Sequence, residues 1–431
     1  MPIWNPEYET LPREAMRELQ LTRLQNTLVW AYEKSPWYRR QFDELGLKPR
    51  DIKSLDALPK IPFTDKTALR DTYPFGMFSL PMEDIVRVHS SSGTTGKPIV
   101  VGYSRSDLNV WTEMCARVAG MAGVTPADRV DMTFLYGMFT GGWGMHYGIE
   151  RVGATIMPAG AGSTERHLMM LRDFGTTVFV WTPSYSLYLA EVGEREGVDF
   201  AALPLRLSLF GGEPTTDAMR AEIEARLGIR VTDNYGLSEV GGPGVAGECE
   251  VGEGRHINED HFYPEIIDPV SGAVLPDGEE GELVLTTLTK EALPILRYRT
   301  HDLTRITREA CACGRTTCRI DPIRKRTDDM LIVRGVNLYP SQIEDILYQI
   351  EGTTPHYLLV ASREGGRETL ELRIEINADL FTDRMAPLVE MQDKIGERVQ
   401  SQIGLRLQVV LVEPGTIERT QGKSKRVLDL R

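Results

Sequence analysis

The segment His89-Ser90-Ser91-Ser92-Gly93-Thr94-Thr95-Gly96-Lys97-Pro98 puts hydroxyls, glycines and one lysine into a single short stretch. Small residues let successive backbone N–H groups converge on an anion, the hydroxyls add donors and Lys97 supplies charge, so the chemistry open to it is phosphate binding. The mononucleotide P-loop is a poor match, because that loop spaces its glycines further apart and follows its lysine with Ser or Thr. Here Thr94 and Thr95 alone separate Gly93 from Gly96, and Pro98 takes the hydroxyl position. A second constellation is Cys249, His256, Cys311 and Cys313. Three thiols and an imidazole suit a closed tetrahedral Zn²⁺ shell, with Cys318 as the alternative ligand, and a full set of protein ligands makes such a site structural. Cys115 stands apart from these four cysteines.

These groups need elements to hold them. The apolar runs Ile85–Val88 and Ile99–Val101 flank the Ser/Gly segment and predict a strand–loop–strand. Residues 13–46 have a helical apolar spacing that Pro36 interrupts. From about 85 to 325, β-branched runs such as Thr177–Trp181 and Leu205–Phe210 alternate with amphipathic stretches, which predicts mostly parallel α/β layers. Met219, Ile223 and Leu227 mark a helix from Thr216 that Gly228 stops. Toward the C-terminus, Leu370, Leu372, Ile374 and Ile376 alternate with Glu371, Arg373 and Glu375, as in a half-exposed strand. Leu388, Met391, Ile395, Val399 and Ile403 mark an amphipathic helix, and Ser341 with Glu344 predicts a capping box just after Pro340. A small α+β unit therefore follows a larger α/β one, with the boundary at the basic Arg324-Lys325-Arg326, giving 1–325 and 326–431.

The 431 residues suffice for two or three domains. With 49 Lys+Arg against 62 Asp+Glu the net charge is −13, which disfavours nucleic acid or an anionic membrane as partner. Five cysteines, an odd number, argue against a disulfide framework. The N-terminus is charged where a signal peptide would be apolar, and no run of about 18 apolar residues offers a membrane span. The expectation is a cytoplasmic enzyme in a reducing compartment, with a homodimer as the default assembly. Charge reverses locally: residues 315–326 and 419–431 each carry five Arg/Lys against one Asp.

The segment SSSGTTGKP resembles the signature of the adenylate-forming acyl-CoA ligase superfamily. Tyr235-Gly236-Leu237-Ser238-Glu239 resembles its second nucleotide motif, and Tyr298-Arg299-Thr300-His301-Asp302 its ribose motif. The stretch Arg326 to Gly335 is similar to its hinge, and Gln421-Gly422-Lys423 to its catalytic lysine motif. YGMFTGGWGMHYG, HFYPEIIDP and RGVNLYPSQIE are most similar to the phenylacetate–CoA ligase family. The resemblance runs through nearly the whole chain, in order.

It implies a large N-terminal adenylation domain and a small mobile C-terminal α+β domain. The implied reaction has two halves: a carboxylate attacks the α-phosphorus of ATP to give an acyl-adenylate and pyrophosphate, and the thiol of coenzyme A then expels AMP. Ser91, Ser92, Gly93, Thr94, Thr95, Gly96 and Lys97 would hold phosphates, and Glu239 would bind Mg²⁺. Asp302 would accept the ribose hydroxyls. Gly212, Glu213, Pro214, Asn234, Tyr235, Gly236, Ser238 and Arg326 would complete the ATP site; a simple βα turn also accounts for Gly211 and Gly212. Tyr136, Phe139, Gly141, Gly211, Tyr235 and Gly236 would take the acid, because aromatic walls beside glycines suit a flat aryl ring; Trp143 belongs to the same aromatic set. His146 reads as structural. Lys423 would balance charge at the α-phosphate, Asp328 would be the hinge, and Gly335 would line the pantetheine tunnel. The chain departs from the family pattern at Lys325, where a glycine normally precedes the arginine. Competing readings are another aryl acid (a hydroxybenzoate or indoleacetate), loading of a carrier protein, and a catalytically silent nucleotide-binding regulator.

Overall fold

The protein is represented by a computed structural model that describes residues 3–91, 98–333, 336–364, 367–377, 380, 385–418 and 426–431. The chain divides into two compact units. One comprises residues up to Trp181, Asp199–Gly212 and Gly228–Pro322; the other comprises Thr182–Val198, Glu213–Leu227 and Ile323–Arg431. The expected 325/326 boundary would have put 182–198 and 213–227 in the first unit.

The first unit opens with α1 (Pro6–Glu9), α2 (Arg13–Lys34), α3 (Pro36–Glu44) and α4 (Lys66–Asp71). Helix α2 buries Met16, Gln20, Leu24, Leu28 and Ala31, one stripe at helical spacing. Pro36 cannot donate into α2 and instead starts α3, where a missing N–H costs nothing. Strands β1 (Arg87–Ser90) and β2 (Val100–Tyr103) pair antiparallel, His89 opposite Val101. They are followed by α5 (Arg105–Ala122), β3 (Arg129–Met132), α6 (Thr140–Val152), β4 (Thr155–Met157), α7 (Thr164–Asp173), β5 (Val178–Trp181), β6 (Leu207–Phe210) and β7 (Arg230–Leu237). Ser104 and Asp107 cap α5 reciprocally, Asp107 N to Ser104 Oγ at 3.0 Å and Ser104 N to Asp107 Oδ2 at 2.9 Å. Helix α6 lies close on α5 because Gly144 and Gly148 face it: a Cβ at Gly148 would sit 2.4 Å from Cys115 Cβ.

Among the described residues nine strands form the main sheet. Strands β4-β3-β5-β6-β7 are parallel in that spatial order. The other four are β8 (Gly242–Glu248), β9 (Arg255–Ile257), β13 (Ile306–Thr307) and β14 (Arg319–Ile320), and they run antiparallel from β7 outward as β8-β9-β14-β13. A separate antiparallel group is β10 (Phe262–Ile267), β11 (Gly281–Thr287) and β12 (Tyr298–Thr304). The parallel expectation therefore fails beyond β7. The segments from 238 to 320 lack intervening helices long enough to make a crossover, and short connections permit only antiparallel pairing.

The second unit holds α8 (Pro183–Arg195), α9 (Asp217–Leu227), the short strand β15 (Lys325–Arg326), the hairpin β16 (Leu331–Val333) and β17 (Val336–Leu338), α10 (Pro340–Leu347) and α11 (Met385–Ile403). A four-stranded sheet of β18 (Thr353–Glu364), β19 (Arg367–Ile376), β20 (Gln408–Val412) and β21 (Val427–Asp429) has the order β20-β19-β18-β21. Its core packs Ile343, Leu347, Tyr357, Leu372, Ile395 and Val399. Helix α9 begins at Asp217 and ends before Gly228, whose φ of +67° suits glycine. Two expectations are corrected. Pro340 occupies the first helical position of α10, so Ser341 lies inside the helix and the Gln342 side chain instead accepts from Tyr339 N at 3.0 Å. Glu375 is buried rather than exposed on β19. No helix among the described residues is long and apolar enough to cross a membrane.

Charge is buried where segments distant in sequence meet. Arg297 donates from Nε and Nη2 to both oxygens of Glu265 at 3.0 Å, and from Nη1 to Ile61 O at 2.9 Å, joining β10, β12 and the N-terminal segment. Burial still pushes the Glu265 carboxyl above its usual range. Arg297→Met should therefore lower the unfolding free energy by about 3–5 kcal/mol, since it strands a buried carboxylate. A urea midpoint within error of the parent would show the pair to be dispensable.

Candidate active site

The parallel run β4-β3-β5-β6-β7 reverses its direction of growth between β3 and β5. At such a reversal the loops leaving the carboxyl ends of the strands part and leave a crevice. The loop after β3 carries Tyr136 and Phe139, and its conformation is fixed by its own side chains. Trp143 Nε1 donates to Tyr136 O at 2.9 Å, the two rings meet edge-on at 5.1 Å, and Tyr136 Oη lies 3.0 Å from His146 Nδ1. His146 Nε2 in turn lies 3.2 Å from Glu150. The histidine thus holds Tyr136 by its hydroxyl. Burial raises the Tyr136 phenol above its ordinary range, so it stays protonated. Leu135 and Met138 are left exposed beside half-buried Phe139. Gly141 gives its space to Phe139, whose ring lies 2.5 Å from where a Cβ would be.

The Ser/Gly segment is anchored directly to this loop. Ser90 N donates to Met138 O at 2.8 Å, and His89 Nδ1 lies 3.0 Å from the same oxygen. Burial lowers the His89 imidazole to about 4, so it is neutral at pH 7 and its Nδ1–H can donate to the carbonyl. Ser91 closes the base of the loop: its N donates to Ile99 O at 2.9 Å and its Oγ accepts from Ile99 N at 3.0 Å. Ser92, Gly93, Thr94, Thr95, Gly96 and Lys97 lie outside the described residues, as do Gly335 and Lys423.

After β6, Gly211 is buried and Gly212 is exposed, with a φ of +82°. A Cβ at Gly211 would meet the Asn234 amide at 2.7 Å, and that amide donates to Phe210 O, locking the ends of β6 and β7 together. Glu213 Oε2 accepts from Ser184 Oγ at 2.6 Å, and Pro214 is exposed. Strand β7 carries a bulge between Tyr235 and Leu237 in its pairing with β8. Strand β12 is irregular as well, with Thr300–Asp302 opposing Leu283 alone. Bulges re-aim side chains, and here the two irregularities bring Tyr235 Oη within 2.5 Å of buried Asp302 Oδ2. Ser238 Oγ lies 2.9 Å from Thr140 Oγ1 at the start of α6.

Buried Glu239 faces a group that sequence reasoning missed. The Lys290 ammonium is buried with no hydrogen-bond partner among the described residues, 4.6 Å from the Tyr103 ring. Burial lowers it to about 8, against the attraction of Asp107 and Glu239. A lone lysine in Thr-Leu-Thr-Lys-Glu carries no spacing signal that could have found it. In the second unit, Arg326 forks onto Asp328 at 2.9 and 3.0 Å, so the candidate nucleotide contact and the candidate hinge are engaged with each other.

The ligand atoms of Cys249, His256, Cys311 and Cys313 all lie within 4.8 Å of one another. Cys249 Sγ is 3.8 Å from Cys311 Sγ, and Cys313 Sγ is 3.4 Å from His256 Nε2. His256 Nδ1 faces Thr317 O and Oγ1 at 3.2 and 3.1 Å, which orients Nε2 inward. Burial alone would raise the Cys313 thiol, but hydrogen bonds with His256 and Arg315 override it and draw it down to about 5. Cys318 lies outside the group, its N–H donating to Glu259 at 2.7 Å.

Residues 40–288 match the AMP-binding enzyme family, and residues 335–431 match the AMP-binding enzyme C-terminal domain. The chain is 47% identical over 443 residues to the phenylacetate-coenzyme A ligase of Thermus thermophilus, covering 100% of each. It is 48% identical over 425 residues to that of Escherichia coli K12, covering 98% of this chain and 97% of the relative. Among solved structures, 2-hydroxyisobutyryl-CoA ligase in the postadenylation state with R3-HIB-AMP superposes with a TM-score of 0.93 at 32% identity, over 100% of this chain and 94% of that one. The same ligase with 2-HIB-AMP and CoA in the thioesterification state gives 0.73 at 33% identity, over 100% and 94%.

The β7 bulge is the most constrained point of the site. A Cβ on Gly236 would fall 2.0 Å from Gly242 O and 2.8 Å from Pro243 Cα, both backbone atoms. Gly236→Ala should cost about 3 kcal/mol of stability through overpacking. Chemical denaturation reads this directly, and a parent-like midpoint would mean that the bulge tolerates a side chain.

Proposed function

Because this chain belongs to the phenylacetate–CoA ligase family, we propose that it joins an aryl carboxylic acid, phenylacetate first, to coenzyme A with ATP. The reaction proceeds through an acyl-adenylate and releases pyrophosphate and AMP. The observation that carries this reading is the double anchorage of Ser90 N and His89 Nδ1 on Met138 O. It makes the base of the phosphate loop continuous with the aromatic loop, so an acid held at one lies beside phosphates held at the other. Proximity of that kind, more than any covalent nucleophile, is what the first half-reaction requires.

In this reading the Ser91–Lys97 loop cradles the terminal phosphates, and the Asp302 carboxylate, which accepts from the Tyr235 hydroxyl, is the acceptor for the ribose hydroxyls. Gly211, Gly212, Glu213, Pro214, Asn234 and Gly236 frame the nucleotide with mostly backbone surface, and Ser238 fixes the approach to Glu239. Glu239, a buried carboxylate, would hold Mg²⁺, which would neutralise phosphate charge when bound. Tyr136 and Phe139 provide the aryl wall, with Gly141 leaving room for the Phe139 ring. Lys423 balances the charge that develops as carboxylate and α-phosphate approach. Arg326 completes the nucleotide site, Asp328, which it engages, is the hinge, and Gly335 lines the thiol tunnel.

We also propose Zn²⁺ at Cys249, His256, Cys311 and Cys313. In a tetrahedral shell with Zn–S of about 2.3 Å, adjacent sulfurs stand about 3.8 Å apart; Cys249 Sγ and Cys311 Sγ stand 3.8 Å apart, and all four ligand atoms lie within 4.8 Å of one another. Thiols kept for a metal call for a reducing compartment, which supports the cytoplasm.

Acid-dependent exchange of labelled pyrophosphate into ATP, run over a panel of aryl acids, tests the first proposal. Phenylacetate should give the highest kcat/KM, followed by thioester formation with coenzyme A. Exchange without thioester would favour carrier loading, and no exchange with any acid would favour the silent regulator. Metal analysis of the purified protein tests the second: about one zinc per chain is expected, lost in His256→Ala. Absence of zinc from the parent protein ends that proposal.

A further inference from the structure

The loop that carries Tyr136 has little burial of its own to hold it. Leu135 and Met138 are 57% and 53% exposed, so the loop takes its place from what it is tied to. One tie is at Met138 O, which accepts from Ser90 N at 2.8 Å and lies 3.0 Å from His89 Nδ1. The other is α6, where Trp143, His146 and Tyr147 stand three and four residues apart and so share one face. Trp143 Nε1 donates to Tyr136 O at 2.9 Å and to Gly137 O at 3.2 Å, and His146 Nδ1 lies 3.0 Å from the Tyr136 hydroxyl.

Behind that face stands Arg87 on β1, which the assignments above leave unused. Its guanidinium lies 5.6 Å from the centre of the Trp143 ring and 4.9 Å from that of Tyr147, and its Nη2 donates to the Tyr147 hydroxyl at 3.2 Å. The Trp143 and Tyr147 rings are stacked at 5.9 Å, and the His146 ring meets Tyr147 edge-on at 5.3 Å. One cation over two π faces fixes both rings at once. Arg87 Nη1 is buried with no hydrogen-bond partner among the described residues. An apolar side chain of similar length would fill the space without that cost, so the charge is unfavourable unless the rings it holds must not move. Arg87 and His89 alternate onto the same face of β1. That face therefore reaches the loop at both ties, directly through His89 and by way of Trp143 from Arg87.

The consequence falls on the acid. Tyr136 meets Trp143 edge-on at 5.1 Å, so a Trp143 ring free to tilt would carry the Tyr136 ring with it and widen the pocket. Pocket width is what separates a single-ring acid from a bicyclic one. We propose that Arg87 is a positioning residue that sets acid specificity: by clamping Trp143 and Tyr147 it fixes Tyr136, so that a single-ring acid is preferred over a bicyclic one. The proposal deepens the reading of Tyr136 as the aryl wall and rests on it.

The test is pyrophosphate exchange by the full-length protein with phenylacetate and with indoleacetate, each over a range of acid and ATP concentrations. Arg87→Met should raise the KM for phenylacetate about tenfold, the worth of a partly desolvated cation over aromatic faces. The kcat and the KM for ATP should stay within about twofold of the parent, as expected when only acid binding is lost. The preference for phenylacetate over indoleacetate in kcat/KM should shrink about tenfold. Tyr147→Phe, which removes only the hydroxyl that Arg87 meets, should shift the preference the same way by about threefold. Arg87→Lys, which keeps a cation over the rings, should restore most of the loss. In a Trp143→Phe background, where the donor to Tyr136 O is gone, Arg87→Met should change the preference no further.

A parent that does not favour the single ring would overturn the proposal. So would a fall in kcat shared by both acids with the preference unchanged, or effects that add in the double variant, since these make Arg87 a fold stabiliser. Should Arg87→Met not fold, Tyr147→Phe decides, and an unchanged preference there overturns the proposal equally. No exchange with any aryl acid in the parent would sink the aryl-acid reading and this one with it. Exchange by the parent together with a parent-like preference in Arg87→Met sinks this one alone.

Discussion

The site depends on a backbone approach that admits no side chain at Gly236. With Gly242 O only 2.0 Å from where a Cβ would stand, strand β7 can bulge tightly against β8, and the bulge changes what the strand does along its length. Its first half pairs parallel with β6 through Asp233, and its second half pairs antiparallel with β8 from Asn234. One strand thus joins the doubly wound layer, which supplies the crevice, to the antiparallel layer beyond it. The irregularity at Thr300–Asp302 on β12 completes the arrangement by turning Asp302 toward Tyr235. A regular ladder at either place would send one of these two side chains to the opposite face.

The acidic cluster Asn258-Glu259-Asp260 does for the scaffold what the bulge does for the site. Glu259 takes Arg13 at 2.6 Å and Arg308 at 3.0 Å, while Asp260 takes Arg117 at 2.8 Å and Arg23 at 3.5 Å. Four arginines from three segments, two of them on α2, converge on two neighbouring carboxylates, so helices α2 and α5 are registered against the same short turn. Glu259 also accepts the Cys318 N–H. This explains in physical terms why Cys318 stays apart from the thiol cluster although it directly follows Thr317, the neighbour of His256: its backbone is committed to the ion-pair network.

Much of this was legible where the signal is local. Apolar runs beside the Ser/Gly segment gave β1 and β2, Pro36 marked the break between α2 and α3, and the fourfold spacing of Met219, Ile223 and Leu227 gave α9. What failed was long-range. Glu375 alternates correctly for an exposed position, yet its partner Ile417 N lies 42 residues away, and no periodicity encodes such a partner. Lys290 has the same character, because only tertiary packing against Tyr103 buries it. The glycines of the α6 segment differ in what they admit: Gly141 makes room for the Phe139 ring, whereas Gly144 and Gly148 serve packing on α5. Composition identifies small residues but not what fills the space beside them.

The charge distribution ties these threads together. Arginines on the acidic chain are drawn heavily into pairs with buried carboxylates: Arg297 with Glu265, Arg206 with Asp128, Arg255 with Asp233, besides the four on Glu259 and Asp260. The Ser/Gly segment and the aromatic loop are instead anchored by neutral groups, with His89 kept uncharged and Met138 and Ile99 offering only their peptide groups. Anchoring by neutral groups adds no charge of its own to the local field, and in a medium of low dielectric each charge that is present counts for more. Arg426 follows the same pattern, held inside its unit by Pro355, Tyr357 and Glu344. A scaffold that spends its arginines internally keeps its buried carboxylates paired while the chain as a whole remains acidic.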